Sequence, residues 1–135
     1  MSPPPVSILV VCKDAAATIE RCVASLLAQE HADLQIVVQD GGSTDGTLEL
    51  LRRFAARLDL VSSPDRDQNE GFLRGLARCR GNVIGFCWAD EELLPVAVRR
   101  GVEALGGRPE LGAVYGDILE TDIQGADERV LAYPD

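Results

Sequence analysis

Three short polar stretches hold the residues best suited to chemistry. The first, DGGSTDGT, runs from Asp40 to Thr47 and combines carboxylates, glycines and hydroxyl side chains. The glycines let a ligand approach the backbone closely, and the leading carboxylate can accept hydrogen bonds from that ligand. The alternative is a tight turn between a strand and a helix, in which Asp and Ser cap the backbone locally. Both interpretations predict a loop.

The second stretch, Ala89-Asp90-Glu91-Glu92, is acidic. Mg²⁺ typically takes one or two protein carboxylates and completes its shell with water and phosphate oxygens. Asp90 is closest to the end of a predicted strand and is the expected metal ligand. Glu91 and Glu92 are expected to be solvated or to cap a helix. Alternatively, all three acids form the negative first turn of that helix.

The third stretch, Pro64-Asp65-Arg66-Asp67, places a cation between two carboxylates. Arg66 can bind a phosphate through charge-assisted hydrogen bonds, or it can form an ordinary surface ion pair. The single tryptophan, Trp88, directly precedes the acidic stretch, and we expect it to pack in the core.

The elements that must position these stretches alternate between strands and helices. Apolar, β-branched runs predict strands at 6–12, 34–39, 58–61, 83–88 and from 113 to 115. Helical spacing of apolar residues predicts intervening helices whose apolar positions cover 19–27, 50–58, 72–77 and 98–105, with Thr44 or Asp45 as N-cap of the second. A hairpin is predicted around residues 124–126. The fold class is therefore α/β, a mainly parallel sheet with helices on both faces. In such sheets ligands bind beyond the carboxyl ends of the strands, where all three polar stretches fall.

Length and composition favour one domain. The chain has 135 residues, of which 46% are hydrophobic, and we divide it into a flexible tip (1–5) and a folded domain (6–135). The net charge of -9 argues against nucleic-acid binding and against docking on anionic lipid. We expect no membrane span and no export signal. The four cysteines lack zinc-site spacing and are interpreted as buried thiols, which favours a cytoplasmic location.

In combination, the segments VSILVVCKD, DGGSTDGTLELL, SSPDRD and GNVIGFCWADEELLP resemble the nucleotide-binding half of a family 2 glycosyltransferase with the GT-A fold. The resemblance extends from about Val6 to Asp117. It implies a nucleotide-sugar donor, often a UDP-sugar, and Mg²⁺ or Mn²⁺ as cofactor. It also implies transfer with inversion to an acceptor that the sequence does not identify, a glycan, a lipid or another molecule.

The resemblance also implies roles for individual residues. Asp14 corresponds to a position near the base and ribose, Asp40 to the carboxylate that contacts the base, and Asp90 to the metal-binding aspartate of a DxD-type motif. The implied donor-binding residues are Cys12, Asp14, Asp40, Gly41, Ser43, Asp65, Arg66 and Ala89. Asp117 is a candidate for the sugar pocket but is not assigned as the general base. Four positions depart from the family pattern. Trp88 replaces a frequent first acid of DxD and Glu91 a frequent Asp, while Lys13 replaces a common aromatic residue and Leu73 a frequent Asn.

Two other functions remain open on the sequence. Family members place the acceptor site and the general base after the fifth strand, so the domain is expected to be incomplete and the base to lie outside it. The chain is then an interaction module that binds a nucleotide sugar without turnover. A receiver domain is the other alternative, although it requires a lysine after its fifth strand and the only lysine is Lys13. An uncovered sheet edge would also favour a homo-oligomer.

Overall fold

A computed structural model describes residues 2–122, 124–126 and 128–132. Residue 1 of the predicted flexible tip lies outside the described residues, and the flexibility of that tip stays a prediction. In chain order the elements are β1 (Val6–Cys12), α1 (Ile19–Leu27), β2 (Leu34–Asp40), α2 (Thr47–Arg52), a 3-10 turn (Ala55–Arg57), β3 (Asp59–Ser62), α3 (Gln68–Leu76), β4 (Val83–Phe86), α4 (Ala97–Gly106), β5 (Ile118–Glu120) and β6 (Arg129–Leu131).

The first four strands form one parallel sheet in the order β3-β2-β1-β4. β1 lies inside the sheet and all seven of its residues are buried. This burial explains its continuous apolar run, because a parallel strand covered on both faces has no solvent side to make polar. The carboxyl ends of all four strands point to the same edge, so the predicted α/β class is confirmed.

Helices cover both faces of the sheet, as predicted. On one face, Leu9 and Val11 of β1 pack with Phe72 and Leu76 of α3. α3 lies very close to the strand there, because a Cβ atom at Gly75 would collide with the Leu9 side chain. The opposite face is covered by α1, α2 and α4, whose buried residues in this layer are Ile19, Cys22, Val23, Leu26, Leu51 and Val98.

The strand predicted at Ala113–Tyr115 is wrong. These residues have no regular structure, and each of them is exposed. An apolar run forms a strand when it can pair with a neighbouring strand, and none of the described strands pairs with this segment. The chain instead forms an antiparallel hairpin from β5 and β6, which confirms the hairpin predicted around residues 124–126.

The bounds of α2 and β4 also differ from expectation. α2 ends at Arg52 and gives way to the 3-10 turn, so the predicted helical stripe is interrupted before Leu58. Its N-cap is Gly46 rather than Thr44 or Asp45, and Gly46 has a φ of 101°, a conformation that glycine adopts without a steric penalty. β4 ends at Phe86, two residues before the predicted end at Trp88.

The cysteines and the lengths of the described helices bear on two further expectations. All four cysteines are free thiols, and Cys12, Cys22 and Cys87 are buried while Cys79 is half-buried. The interpretation as buried thiols is therefore confirmed for three of them. None of the helices in the described ranges is long and apolar enough to traverse a lipid bilayer.

Candidate functional site

The loop after β1 and the loop after β2 are fastened together at the carboxyl edge of the sheet. The backbone N–H of Asp14 donates to Ser43 Oγ at 2.8 Å, and the Thr44 N–H donates to Asp14 Oδ1 at 2.8 Å. Asp14 has a φ of 50°, a left-handed conformation that Asp tolerates better than most residues. The pair of bonds supplies a reason for this conformation, because it turns the chain so that both polar groups of Asp14 face the neighbouring loop.

Two further hydrogen bonds extend this junction toward α2. The Ala15 N–H donates to Thr47 Oγ1 at 2.8 Å, and the Ala16 N–H donates to Asp45 Oδ2 at 3.0 Å. The hydroxyl and backbone N–H of Thr47 in turn donate to Asp45 Oδ1. These bonds from Thr47 and Ala16 lower the pKa of Asp45 and keep it ionised. We call the four contacts between the loops, involving residues 14–16 and 43–47, the loop junction.

Asp40 is the buried centre of the second loop. Its Oδ2 accepts the Gly42 and Ser43 N–H groups, both at 3.1 Å, and the Ser62 hydroxyl at 2.6 Å. Its Oδ1 accepts a short hydrogen bond from the Ser43 hydroxyl and a 3.7 Å contact from the Cys12 thiol. The residue has no solvent exposure. Both carboxylate oxygens are therefore occupied by groups of the protein itself.

The protonation states around Asp40 follow from this arrangement. Burial alone would raise the pKa of Asp40, but the hydrogen bonds from Ser43, Ser62 and Gly42 outweigh it and leave that pKa below its ordinary value of 3.8. Burial, and then the neighbouring Asp40 charge, raise the pKa of the Cys12 thiol to about 12. At neutral pH the centre is thus a carboxylate beside a neutral thiol.

Asp65 is positioned by two glycines. A Cβ atom built at Gly41 would lie 2.6 Å from Asp65 Oδ2, and one built at Gly71 would lie 2.8 Å from the same oxygen. The Asp65 carboxylate therefore fills space that is available only because both positions lack a side chain. The residue is half-buried, and within the described ranges its oxygens accept no hydrogen bond from the protein. Its acceptor capacity remains for a ligand.

A cleft of about 590 Å³ opens beside the loop junction. It lies where β1 and β4 end, and its walls combine one cation, several carboxylates and one aromatic ring. It is lined by Val11, Cys12, Lys13, Asp14, Ala15, Thr18, Gln68, Trp88, Ala89, Asp90 and Glu91. Its volume is in the range of small-molecule sites, and its charged walls suit a charged ligand.

The three acids that follow Trp88 have separate environments. Glu91 accepts the Trp88 backbone N–H at 3.0 Å, and Glu92 forms a 2.6 Å ion pair with Arg21. Asp90 is exposed and accepts no hydrogen bond from any described residue. Glu91 thus caps a turn and not a helix, because the next helix begins at Ala97. Asp90 alone keeps its carboxylate available at the cleft.

The residues around Asp90 fit a divalent ion only if the ion takes its other ligands from a bound phosphate and from water. No group of three or more His, Cys, Asp or Glu side chains with metal-site geometry occurs in the described part of the chain. One carboxylate together with phosphate oxygens and water is, however, a donor set that Mg²⁺ accepts. The chemistry therefore fits an ion that arrives with a phosphorylated ligand.

Comparison with known proteins assigns the family. The family model described as Glycosyl transferase family 2 matches residues 7–130, nearly the whole chain. The chain belongs to glycosyl transferase family 2. This membership sets aside the receiver-domain alternative.

Two relatives illustrate how much of a glycosyltransferase family 2 protein the chain represents. It is 31% identical to the O-antigen biosynthesis protein RfbC of Myxococcus xanthus over 98% of this chain and 11% of that protein. It is 33% identical to a PGL/p-HBAD biosynthesis glycosyltransferase of Mycobacterium bovis over 88% of this chain and 48% of that protein. The chain thus spans less than half the length of these curated relatives.

Solved glycosyltransferases share the fold. S. aureus TarS 1-349, in complex with UDP, superposes with a TM-score of 0.69 at 19% identity, over 78% of this chain and 33% of that one. The mannosyltransferase PcManGT from Pyrobaculum calidifontis, in complex with GDP-Man and Mn²⁺, superposes with a TM-score of 0.63 at 27% identity, over 68% of this chain and 29% of that one. The GT-A fold expected from the resemblance is confirmed.

The family 2 fold brings some of the predicted residues together and leaves others apart. Cys12, Asp14, Ala89 and Asp90 line the cleft. The remaining members of the set on the β2 side, Asp40, Gly41 and Ser43, form the loop beside it, with Asp65 against Gly41.

Arg66 and Asp117 lie elsewhere. The Arg66 side chain is 87% exposed and pairs with Glu70 at 3.2 Å, so the surface-pair alternative describes its observed contact. Asp117 is exposed in the segment before β5 and does not line the cleft. Neither residue lines the cleft with Asp90.

Sequence reasoning missed two cleft residues. Trp88, expected in the core, is 45% exposed, and that expectation is wrong. Lys13, noted only as a departure from the family, contributes the one cationic side chain among the cleft residues of the described chain. The available signal was their position next to Asp90 and Asp14, because residues directly after parallel strands reach the ligand edge.

Proposed function

We propose that this chain binds the nucleotide diphosphate of a sugar donor, UDP-linked, as part of an inverting glycosyltransferase. The proposal depends chiefly on Asp90, an exposed carboxylate without a protein partner among the described residues, beside a 590 Å³ cleft. Open α/β sheets bind ligands at this edge. The complexes of TarS with UDP and of PcManGT with GDP-Man support a nucleotide diphosphate as the common ligand.

We assign different roles to the carboxylates of Asp40 and Asp65. Asp40 is a positioning residue, because its oxygens already accept four hydrogen bonds from Ser43, Gly42 and Ser62. Asp65 has free acceptor capacity, and we propose that it accepts a hydrogen bond from a ring N–H of the base. Gly41 makes this possible, since its missing side chain leaves the space that Asp65 fills.

We propose that Mg²⁺ or Mn²⁺ is held by Asp90 and by the diphosphate. When bound, such an ion neutralises the negative charge that develops on the departing diphosphate. Lys13, in the same cleft, adds a positive charge from the protein and helps to hold the diphosphate. Asp14 orients the loop that carries Lys13 through its bond to Thr44.

In the proposed transfer, an acceptor oxygen bonds to the anomeric carbon while the bond from that carbon to the diphosphate oxygen breaks. Attack on the face opposite the leaving group inverts the configuration. The acceptor proton passes to a general base that we do not assign within this chain. Asp117 remains a candidate for the sugar pocket only. Arg66 stays a candidate for phosphate binding, because Glu70 pairs only with its Nε.

Calorimetry with UDP tests this function. The wild-type chain is expected to bind UDP more tightly with Mn²⁺ than without it. With Mn²⁺ present, Asp90→Ala should bind UDP about ten- to a hundredfold more weakly, which is the usual contribution of a contact with a charged group. Glu92→Gln is the matched control, because this acid lies in the same loop but pairs with Arg21. Equal binding by wild type and Asp90→Ala would refute the assignment.

The second candidate is binding without turnover by this chain. It is supported by the acids of the cleft, since Asp14 and Glu91 are engaged with the backbone and only Asp90 is free among the described cleft residues. Among the described residues that line the cleft, no further carboxylate is then left to act as base. Release of UDP from a UDP-sugar by the purified chain would exclude this candidate.

We further propose a cytoplasmic location, supported by the free thiols. Cys22 and Cys87 have sulfur atoms 3.9 Å apart and remain unbonded, as expected in a reducing compartment. The acceptor and self-association through an uncovered sheet edge stay predictions.

A further inference from the structure

Trp88 is fixed by its backbone at the mouth of the cleft. Its N–H donates to Glu91 Oε2 at 3.0 Å, and its carbonyl accepts the Cys22 thiol at 3.4 Å. The preceding residue, Cys87, is buried against α1. Since the position facing the core is already filled by Cys87, the Trp88 side chain is directed away from it.

The protein covers Trp88 only in part. This residue is 45% exposed, and in the described chain its indole N–H has no acceptor. A tryptophan that is fully buried removes about 150–250 Å² of its surface from water. Leaving nearly half of Trp88 exposed therefore forgoes part of that stabilisation. Trp88 is one of the residues that line the cleft, together with Lys13 and Asp90. A ligand in the cleft would therefore cover it.

The surroundings indicate which ligand group would do so. Trp88 is two residues from Asp90, so their Cα atoms are at most about 7 Å apart. A group that contacts the indole therefore lies beside a diphosphate held at Asp90. In a nucleotide sugar, that group is one of two rings, the pentose or the transferred sugar. Both have apolar C–H faces that pack on an aromatic ring and hydroxyl edges that suit polar neighbours such as Lys13 and Glu91.

We propose that the Trp88 indole packs on the face of the donor ring next to the diphosphate. This rests on the proposed function. Many family members carry an acid at this position, so this chain has an aromatic ring where the resemblance implies a carboxylate. Ring stacking then contributes to donor affinity whether or not the ion is present, and Asp90 alone carries the dependence on the ion.

The chain supplies its own probe for this contact, because Trp88 is its only tryptophan. Acrylamide quenching of its fluorescence is measured while UDP, or UDP-N-acetylglucosamine, is added with Mg²⁺. Protection by both ligands would assign the pentose, and protection only by the sugar nucleotide would assign the transferred sugar. Unchanged quenching at ligand concentrations that calorimetry shows to be saturating would overturn the proposal.

Substitutions give an independent readout. By calorimetry, Trp88→Ala should weaken binding of the protected ligand about two- to tenfold, and Trp88→Phe should retain most of the affinity. Trp88→Asp should weaken binding without metal but increase the gain produced by Mg²⁺. Leu94→Ala is the control, because Leu94 is 68% exposed in the following loop and does not line the cleft. Wild-type affinity in Trp88→Ala would refute stacking.

The two proposals fail in different ways. If the wild-type chain binds neither UDP nor the sugar nucleotide, the proposed function is wrong and stacking falls with it. If it binds them with the expected dependence on Asp90, while Trp88 is neither protected nor required, only the stacking proposal is wrong. Circular dichroism of each variant shows whether the fold is retained.

Discussion

Replacing Asp40 by Asn tests whether a buried charge holds the second loop together. The substitution keeps the shape of the side chain but removes its charge and replaces one oxygen by an NH₂ group. If the amide oxygen takes the Oδ2 position, it still accepts the Gly42 and Ser43 N–H groups and the Ser62 hydroxyl. The NH₂ group then faces the Ser43 hydroxyl, which formerly donated to Oδ1.

The magnitude follows from these bonds. A hydrogen bond to a charged group contributes about 1.5–3 kcal/mol and a neutral one about 1 kcal/mol, so three weakened bonds and one lost bond would remove several kcal/mol. Relief from burying the charge offsets part of this loss. We expect Asp40→Asn to lower the free energy of unfolding by about 2–3 kcal/mol at pH 7.

The pH dependence gives a second check. Because the pKa of Asp40 is lower in the folded chain than its ordinary value of 3.8, the unfolded state binds more protons between the two values. The stabilisation by Asp40 is therefore present above about pH 4 and is lost as the pH falls through the folded pKa. The difference between wild type and Asp40→Asn should shrink in the same range.

Urea unfolding followed by circular dichroism, at several pH values between 7 and 3, measures both effects. Asp33→Asn is the matched control, because Asp33 is exposed and the described chain shows no hydrogen bond to its side chain. A loss below about 0.5 kcal/mol in Asp40→Asn at pH 7, or a difference that does not change with pH, would contradict the reasoning.

Three further predictions concern packing and charge. Gly75→Ala should destabilise the chain by about 1–3 kcal/mol in urea unfolding, because its Cβ would collide with Leu9, and an unchanged midpoint would show that α3 can move away. Arg78→Met should lower the free energy of unfolding by about 2 kcal/mol, because it leaves the half-buried Asp59 without its 2.6 Å partner. Arg80→Met should lower it much less, because the contact of Arg80 with the same acid is 4.0 Å long. Lys13→Met should weaken UDP binding and reduce its dependence on salt in calorimetry at two ionic strengths, and an unaltered salt dependence would exclude Lys13 from diphosphate binding.

The sequence predicted best what depends on burial. β1 has its predicted bounds because a strand covered on both faces must be apolar throughout, and this pattern is visible residue by residue. The run at Ala113–Tyr115 has a similar composition but lies exposed, since a strand also needs a partner and pairing is not encoded locally. The predicted length of α2 was wrong because the apolar spacing to Leu58 does not distinguish one long helix from a short helix followed by a 3-10 turn.

The site was predictable in position but not in contacts. Parallel strands bring Asp14, Asp40 and Asp90 to one edge, which the alternation of elements implies. Whether a carboxylate faces a ligand or the protein depends on neighbours distant in sequence. Ser62, 22 residues away, helps to enclose Asp40, while the core position beside Trp88 is taken by Cys87. These contacts exist only after the sheet has formed.

The loop junction sets how freely its positions could be mutated. At positions 43, 45 and 47 the side chain itself accepts the bond from the first loop. At position 44 only the backbone N–H is used, and the Thr44 side chain is exposed. In a library randomised over 43–47 and selected for folded protein, position 44 should therefore accept most residues, whereas 43, 45 and 47 should retain short oxygen-bearing side chains. A motif at this edge that looks invariant would therefore contain one position, 44, whose side chain contributes almost nothing to the loop junction.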